Sequence, residues 1–423
     1  MTRPRSPDWL EGEEALDRIL DLCPVLPEEE LHLTADASDL CPERALAEDV
    51  FALLDHPPWD NSAMDGFAVM EVDVRGAKPE APVVLPVSQH IPAGRFPESQ
   101  LAPGTAARVM TGAPVPAGST GVVRIEHTDG GRGESVRIDL ATDATRNIRR
   151  RGEDLARGDV VALAGSALTP AVVGCLAMQG VERVKVRRRP RIAVLANGDE
   201  LVDFEGVEDV RAGRKIMNSN SHALAAQLRA AGANPVDLGI AADTAASVRA
   251  ALETARACDG VISTAGVSVG DHDHVKQALD ESGFQRAFWR VRIRPGSPMT
   301  FGSLNGRPFW GLPGNPVSAM VTFEMFVRPA LRKMAGHATI GRSRIRARAG
   351  HDISSPEDLT HLYRVRLSRA PDGSFDAALT GPQGSGILTS MVEAHGLAVL
   401  PTGVTTVRAG EPLEVILLRD LPS

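Results

Sequence analysis

The chain has 423 residues, 43% of them hydrophobic and 24% charged, which is too long for one compact core and predicts about three globular domains. A net charge of −8 with only 4% aromatic residues argues against a nucleic-acid surface. Four scattered cysteines without a CxxC pair exclude a disulfide scaffold and a cysteine metal site, and no apolar run reaches the length of a membrane span.

The N-terminus has early arginines but no apolar core before a cleavage-like site, so it does not read as a signal peptide, and a cytoplasmic location is expected. Residues 6–22 read as a helix, with Ser6 or Asp8 as cap and Leu16, Ile19 and Leu20 on its apolar face. The dense patch His56–Ala68 follows, in which two prolines hold an extended approach to Asp60, Asn61, Ser62 and Asp65. A rigid turn satisfied by its own side chains accounts for the patch as well as a site does. Short alternating runs at 82–87, 107–110, 121–126 and 135–140, separated by Pro and Gly, predict an all-β insert over about 55–145. Arg149-Arg150-Arg151, ahead of Glu153 and Asp154, suits either a solvated face or a guanidinium clamp for phosphate.

After Arg187-Arg188-Arg189-Pro190 the pattern becomes alternating strands and helices: strand 192–195, helix 222–231, strand 236–240, helix 244–257, strand 261–262, helix 275–281, strands 288–293 and 309–312, and helix 317–331. Some 140 residues of such alternation predict a doubly wound, three-layer α/β domain with a mostly parallel sheet. Period-two runs from Ser343 onward predict a small C-terminal β-barrel or sandwich. The boundaries expected are 1–186, 187–335 and 340–423. Strand ends in the α/β segment carry Asp199, Glu200, Asp243, Asp271 and Asp273, an acid concentration that calls for a cation among them. Magnesium held by carboxylates and substrate phosphates meets that need. Arg290, Arg292 and Arg294, with the turn Gly311–Pro316 before a helix, add anion-receptive groups. Residues alone therefore point to a metal-assisted reaction on a phosphate or pyrophosphate ester.

Six motifs in order say more: NSAMDGFAV (61–69), TGAPVPAG (111–118), NIRRRGEDLARGD (147–159), NGDEL (197–201), AGVSVGDHDH (265–274) and GLPGNPVSA (311–319). Together they closely resemble the MoeA family of molybdopterin molybdenumtransferases, related to the E domain of gephyrin, over essentially the whole chain. The resemblance implies an elongated homodimer of four-domain subunits, in which a partner subunit's β domain completes the cleft. It implies insertion of molybdate into adenylylated molybdopterin, with Mg²⁺-dependent cleavage of the adenylyl pyrophosphate and release of AMP and molybdenum cofactor. Other cofactor-biosynthesis proteins and molybdoenzyme apo-proteins are the partners it suggests, with no nucleic acid and no membrane. Carried over by position, Asp60, Thr111, Glu200 and Asp273 correspond to catalytic residues, and Glu200, Asp243 and Asp273 to metal-directed acids. Arg149, Asp154, Asp243, Arg290, Arg294, Ser297, Gly314 and Asn315 correspond to substrate-binding positions. The chain departs from the family pattern where Arg290 and Arg294 replace lysines, where Ser297 replaces the lysine of a PGKP motif, and where Ala196-Asn197 replaces Ser-Thr. Those departures leave a second reading, a specialised relative that binds the cofactor and delivers it to one apo-enzyme. His272 and His274 read as neighbours of the acids rather than ligands.

Overall fold

The computed structural model describes residues 9–34, 40, 41, 43–131, 133–264, 274–356 and 358–422, with the backbone alone for 274–276, and every structural statement here concerns those residues. They form two compact units, one of residues 49–163 and 172–182, the other of 1–48, 164–171 and 183–423.

The 49–163 segment folds around a five-stranded sheet of β1 (Gly66–Val69), β2 (Val83–Ile91), β3 (Ala106–Val109), β4 (Gly121–Arg124) and β5 (Ser135–Ile138), in the order β4-β1-β3-β2-β5. Phe67, Val69, Leu85, Val123, Val136 and Ile138 make its core. Four of these strands follow from alternation in the sequence. The central one, β1, does not, because its four residues are all buried and show no polar alternation. Gly66 begins β1 where a side chain would collide with the Val123 carbonyl, so glycine is what lets β1 and β4 pair there.

The larger unit holds a six-stranded sheet of β6 (Arg191–Asn197), β7 (Asn234–Ala241), β8 (Gly260–Thr264), β9 (Phe284–Phe288), β10 (Thr300–Leu304) and β11 (Arg307–Leu312), in the order β7-β6-β8-β11-β10-β9. The first four strands are parallel, and β10 and β9 close the edge antiparallel. The expected strand over 288–293 begins and ends earlier, as β9, and β10 is an additional strand. Its signal was Asn305-Gly306: both residues have positive φ (52° and 77°), which is the two-residue turn an Asn-Gly pair supplies to a hairpin.

Alternate residues of the central strands serve opposite faces. Ile192, Val194, Ile262 and Trp310 join Leu224 and Leu228 in one core, whereas Ala193, Leu195, Val261 and Phe309 join Val248, Leu252 and Leu279 in the other. Helix α1 (Gly12–Leu22) buries Ala15 and Ile19; it begins later than expected, after Glu11, and Ser6 and Asp8 lie outside the described residues. Helix α2 (Ser219–Ala230) starts three residues earlier than expected and α3 (Ala245–Thr254) within one residue of its expected start, with Asn218 and Thr244 side chains accepting from Ser221 N–H and Ser247 N–H, each at 3.2 Å. Helix α4 (His274–Glu281) follows, and α5 (Pro316–Thr322) runs through a π turn, Phe323–Val327, into the helix Arg328–Met334.

The C-terminal segment is a barrel. Strands β12 (Arg344–Ala349), β13 (Thr360–Arg369), β14 (Phe375–Leu379), β15 (Gly396–Leu400) and β16 (Pro412–Leu417) pair in the order β13-β14-β12-β16-β15, and β15 returns to β13 to close the ring. Closure leaves those five strands without a free edge.

Candidate functional site

Three segments distant in sequence meet within the 49–163 unit. Asn61-Ser62 and Ile148-Arg149 pair antiparallel, with Arg149 opposite Asn61. Ser62 N–H donates to the Ala113 carbonyl at 2.9 Å, Gly112 N–H to that of Ser62 at 2.8 Å, and Val115 N–H to that of Asp60 at 3.0 Å. Gly152 N–H donates to the Pro57 carbonyl at 3.0 Å and Asp154 N–H to that of His56 at 3.1 Å. Main-chain bonds therefore fix the DNSAMDG, TGAP and RRRGED segments as one body. They enclose a groove of about 480 Å³ whose lining includes Pro57, Trp59, Asn61, Gly112, Arg149 and Asp154.

The three consecutive arginines do not act alike. Arg150 Nη1 donates to Asp60 Oδ2 at 2.6 Å, and Arg151 N–H to Asp60 Oδ1 at 2.8 Å. Partial burial by itself would raise the Asp60 carboxyl, but the Arg151 amide and the Arg150 guanidinium outweigh it and hold the group below the usual carboxylate range. Arg151 Nε instead donates to Asp55 at 2.6 Å. Arg149 alone is left exposed and without a carboxylate among the described residues. A three-arginine clamp is thus reduced to one available guanidinium. Thr111 gives both its N–H (2.7 Å) and its hydroxyl (2.8 Å) to Asp65 Oδ1, and those two donors, amide first, hold Asp65 below the usual carboxylate range. With its hydrogen committed to Asp65, the Thr111 hydroxyl oxygen is left only as an acceptor. Asp65 was only a polar neighbour in the sequence; the fixed spacing from the TGAP segment is visible only after folding.

In the larger unit the parallel register aligns Asn197 with Ala241, Ala196 with Thr264 and Thr264 with Leu312, so four strands end on one row. Glu200, Asp243, Gly314 and Asn315 all lie just beyond it, at the carboxyl edge where ligands of open α/β sheets bind. Asp199 N–H donates to Asp243 Oδ2 at 3.2 Å and Asp243 N–H to Asp199 Oδ1 at 3.1 Å, which locks the two loops together. Gly198, at φ +146°, sits where a side chain would overlap the Glu200 carboxylate. The loop carrying Asp271, His272 and Asp273 lies outside the described residues, as does the side chain of His274.

Among the described residues no three His, Cys, Asp or Glu side chains converge closely enough to hold a metal. Asp243 Oδ2 accepts an amide, which leaves its other oxygen and the Glu200 carboxylate as the hard oxygen donors of these loops, fewer than a magnesium ion needs without water or phosphate oxygens. Asn197 is fully buried, and its amide donates to Ser263 Oγ at 2.7 Å. It is a cross-link between β6 and β8 rather than the open polar group its position beside GDEL suggested. Helix α5 is less open to an anion than its sequence implied, because Val317 N–H donates to the Ser385 carbonyl of the barrel at 3.1 Å. Asn220, not singled out in the sequence, fixes the turn by donating to the Gly314 carbonyl at 2.7 Å.

Arg290, Arg294 and Ser297 lie along the segment after β9. Arg290 stacks over Trp9, its guanidinium carbon 5.2 Å from the ring centre, so its face is occupied and its edge N–H groups remain. Arg294 is exposed and pairs in parallel register with His361. The Ser297 hydroxyl is closed to water and has no partner among the described residues, while its carbonyl accepts Met299 N–H at 2.9 Å.

Comparison with known proteins places these elements in context. Residues 10–180 match the model of the MoeA N-terminal region (domain I and II), 193–333 that of a probable molybdopterin binding domain, and 346–418 that of the MoeA C-terminal region (domain IV). The chain is 40% identical to molybdopterin molybdenumtransferase 2 of Mycobacterium tuberculosis, over 88% of this chain and 91% of that one. It is 35% identical to molybdopterin molybdenumtransferase of Bacillus subtilis, over 89% and 88% respectively. The crystal structure of the molybdopterin biosynthesis moeA protein from Pyrococcus horikoshii OT3 superposes with a TM-score of 0.82 at 26% identity, covering 97% of this chain and all of that one.

Proposed function

This chain belongs to the MoeA family of molybdopterin molybdenumtransferases, and from that membership we propose that it inserts molybdate into adenylylated molybdopterin, cleaving the adenylyl pyrophosphate to release AMP and molybdenum cofactor. What carries the reading is identity spread over nearly nine-tenths of the chain, with all three regions of the family present in order. Delivery of finished cofactor without turnover is not favoured, since the relatives are named as transferases.

In this reading the row of loops beyond Asn197, Ala241 and Leu312 binds the anionic part of the substrate, with Glu200, Asp243 and Asp273 as the acids that would hold magnesium. Bound there, magnesium would neutralise charge on the pyrophosphate. Arg290 and Arg294 add positive charge for phosphate oxygens, and Ser297, which lacks the lysine's charge, adds none. Asp60 orders the Arg149–Asp154 segment through Arg150 and the Arg151 amide, and Thr111, held by Asp65, offers an oxygen acceptor. The test is release of AMP from adenylylated molybdopterin with molybdate and Mg²⁺. No AMP above the protein-free rate, where a family relative turns over, would sink the activity.

The protein is further proposed to work as a cytoplasmic homodimer, on domains spanning 1–186, 187–335 and 340–423. Support for self-association comes from the helix Pro170–Met178, which is apolar on every side yet buries only Leu176. No helix among the described residues is long and apolar enough to cross a membrane. Ala177→Glu, at an exposed position of that helix, is expected to shift the protein from dimer to monomer in sedimentation equilibrium. A dimer of wild-type stability would remove the helix from the interface.

A further inference from the structure

We infer that a hollow between helix α2 and the edge strand β7 binds a small zwitterionic α-amino acid, Arg229 taking the carboxylate and Asp237 the ammonium group. None of the residues assigned to the substrate lines this hollow, so the inference stands or falls independently of the activity.

The hollow follows from alternation along the strand. Val194 on β6 pairs with Asp237 on β7, so both belong to the sheet face that Leu224 and Leu228 of α2 cover. On that face β7 contributes Pro235 and Asp237, while Val236 and Leu238 go to the opposite core. Helix α2 meets them with Ser221, Ala225 and Arg229, four residues apart along one side. A short alanine above a proline and an aspartate leaves the edge of the layer unfilled, a space of about 170 Å³. A cavity of about 150 Å³ takes benzene, with its roughly six non-hydrogen atoms, and a free alanine molecule is of that size.

The lining is polar where a helix-on-sheet contact is ordinarily apolar. Arg229 makes no ion pair and no side-chain hydrogen bond among the described residues. Asp237 Oδ1 accepts Gly239 N–H at 2.9 Å, and its Oδ2 is left open. The two opposite charges therefore border one hollow without meeting. A lone anion there would face the Asp237 carboxylate, and a lone cation the Arg229 guanidinium; a ligand that carries both charges one carbon apart answers each. Ser221 adds an independent sign. It is only 3% exposed, and its hydroxyl has no partner among the described residues. Such a group is costly to leave unpaired, and a turn about χ1 brings it into the hollow the residue already borders, where a carboxylate oxygen would accept its hydrogen. Side chains on a helix lean toward its N-terminus, which carries the Arg229 guanidinium back toward Ala225 and Ser221, so that both can serve one carboxylate. His222 makes a fixed wall: its Nε2 lies 3.0 Å from Asp203 Oδ1, and its ring rests against Phe204 at 4.9 Å between centroids.

The test is titration of the full-length protein with L-alanine and L-serine, followed by saturation-transfer NMR, with propionate and n-propylamine as controls that carry one charge each. At least one of the amino acids is expected to bind saturably at about 1 mM or below, and each control about tenfold more weakly or worse. Arg229→Gln and Asp237→Asn, both at exposed positions, should each weaken amino-acid binding about tenfold or more. Asparagine keeps the acceptor for Gly239 N–H, so the strand is undisturbed. Ala225→Leu fills the hollow without touching a charge, and should abolish binding while the melting temperature holds. If A225L fails to fold, R229Q and D237N decide the matter. AMP release in the absence of amino acid should be the same in the wild type and the folded variants. No saturable binding to the wild type, equal binding by the wild type and the variants, or a control that binds as tightly as the amino acids overturns the inference. Loss of AMP release in R229Q or D237N, with the wild type active, would place those residues in the substrate's own site and overturn it as well.

Discussion

Asp60→Asn is expected to lower kcat/KM for molybdenum insertion by about a hundredfold or more, with the melting temperature unchanged. The size follows from what Asp60 holds. Its two oxygens take the Arg150 guanidinium and the Arg151 amide, so the carboxylate ties the middle of the Arg149–Asp154 segment, whose two ends are held by main-chain bonds. Asparagine keeps the shape and one acceptor but turns an NH₂ group toward the Arg150 donors. Arg150 is then released beside Arg149, and its guanidinium charge is no longer neutralised next to that residue. Asp60 is more than a third exposed, so the salt bridge adds little to stability and the effect falls on activity. The pH dependence has a definite sign. A carboxyl held below its ordinary value keeps its charged contacts at neutral pH and loses them only as pH falls through the lowered value, beneath the usual carboxylate pKa of about 4. Asp60 therefore contributes no acid limb to the rate profile above about pH 5. Activity of D60N within threefold of wild type would remove Asp60 from the working site.

How much of this was legible in the sequence differs by level. The architecture was legible because it depends on periodicity: β-α alternation gave the layered domain, and period-two runs gave all five barrel strands. Where the structure adds strands, the reason is local. The β1 strand is buried on both faces and loses its alternation, while β10 lay behind an Asn-Gly turn that carries its own signal. Segments of three motifs come together through main-chain bonds, and Asn61, Gly112 and Arg149 from them line one groove. Which member of a run is available was not legible. Arg149, Arg150 and Arg151 are identical in type, and only the positions of Asp60 and Asp55 tell them apart. The same holds for Asn197, whose polar side chain satisfies a neighbouring strand instead of the site, and for Val317, whose N–H is taken by a barrel loop that showed only a glycine-rich turn. Residue type follows from chemistry; engagement follows from partners far away in the chain.

Engagement also decides where the fold is most vulnerable. Glu324→Ala is expected to destabilise the larger unit by about 3–5 kcal/mol, the cost of breaking a buried ion pair from one side. Glu324 lies in the π turn Phe323–Val327, and its side chain is only 6% exposed. Its Oε2 accepts from Arg342 Nε at 2.9 Å and lies 3.9 Å from Arg328 Nε, while its Oε1 accepts from Gln227 at 2.9 Å. Burial, together with the neighbouring Arg342 cation, already pushes the Arg328 guanidinium down to about 10, so the cations here strain against each other even with the carboxylate present. Alanine leaves Arg328 and Arg342 facing one another with only the field of Glu43 to offset them, and it removes one of the two acceptors of the Gln227 amide. Glutamine at 324 keeps the acceptor but not the charge, and should cost less than alanine. Denaturant unfolding of the wild type and both variants gives the order. If the alanine variant unfolds at the wild-type midpoint, Glu324 is not what holds the two arginines. Because the π turn continues directly from α5, whose first turn lies beside Gly314 and Asn315, loss of this buttress should loosen the helix behind the anion-facing loops. A rise in KM for the anionic substrate that tracks the fall in stability would be the functional sign of that mechanical link.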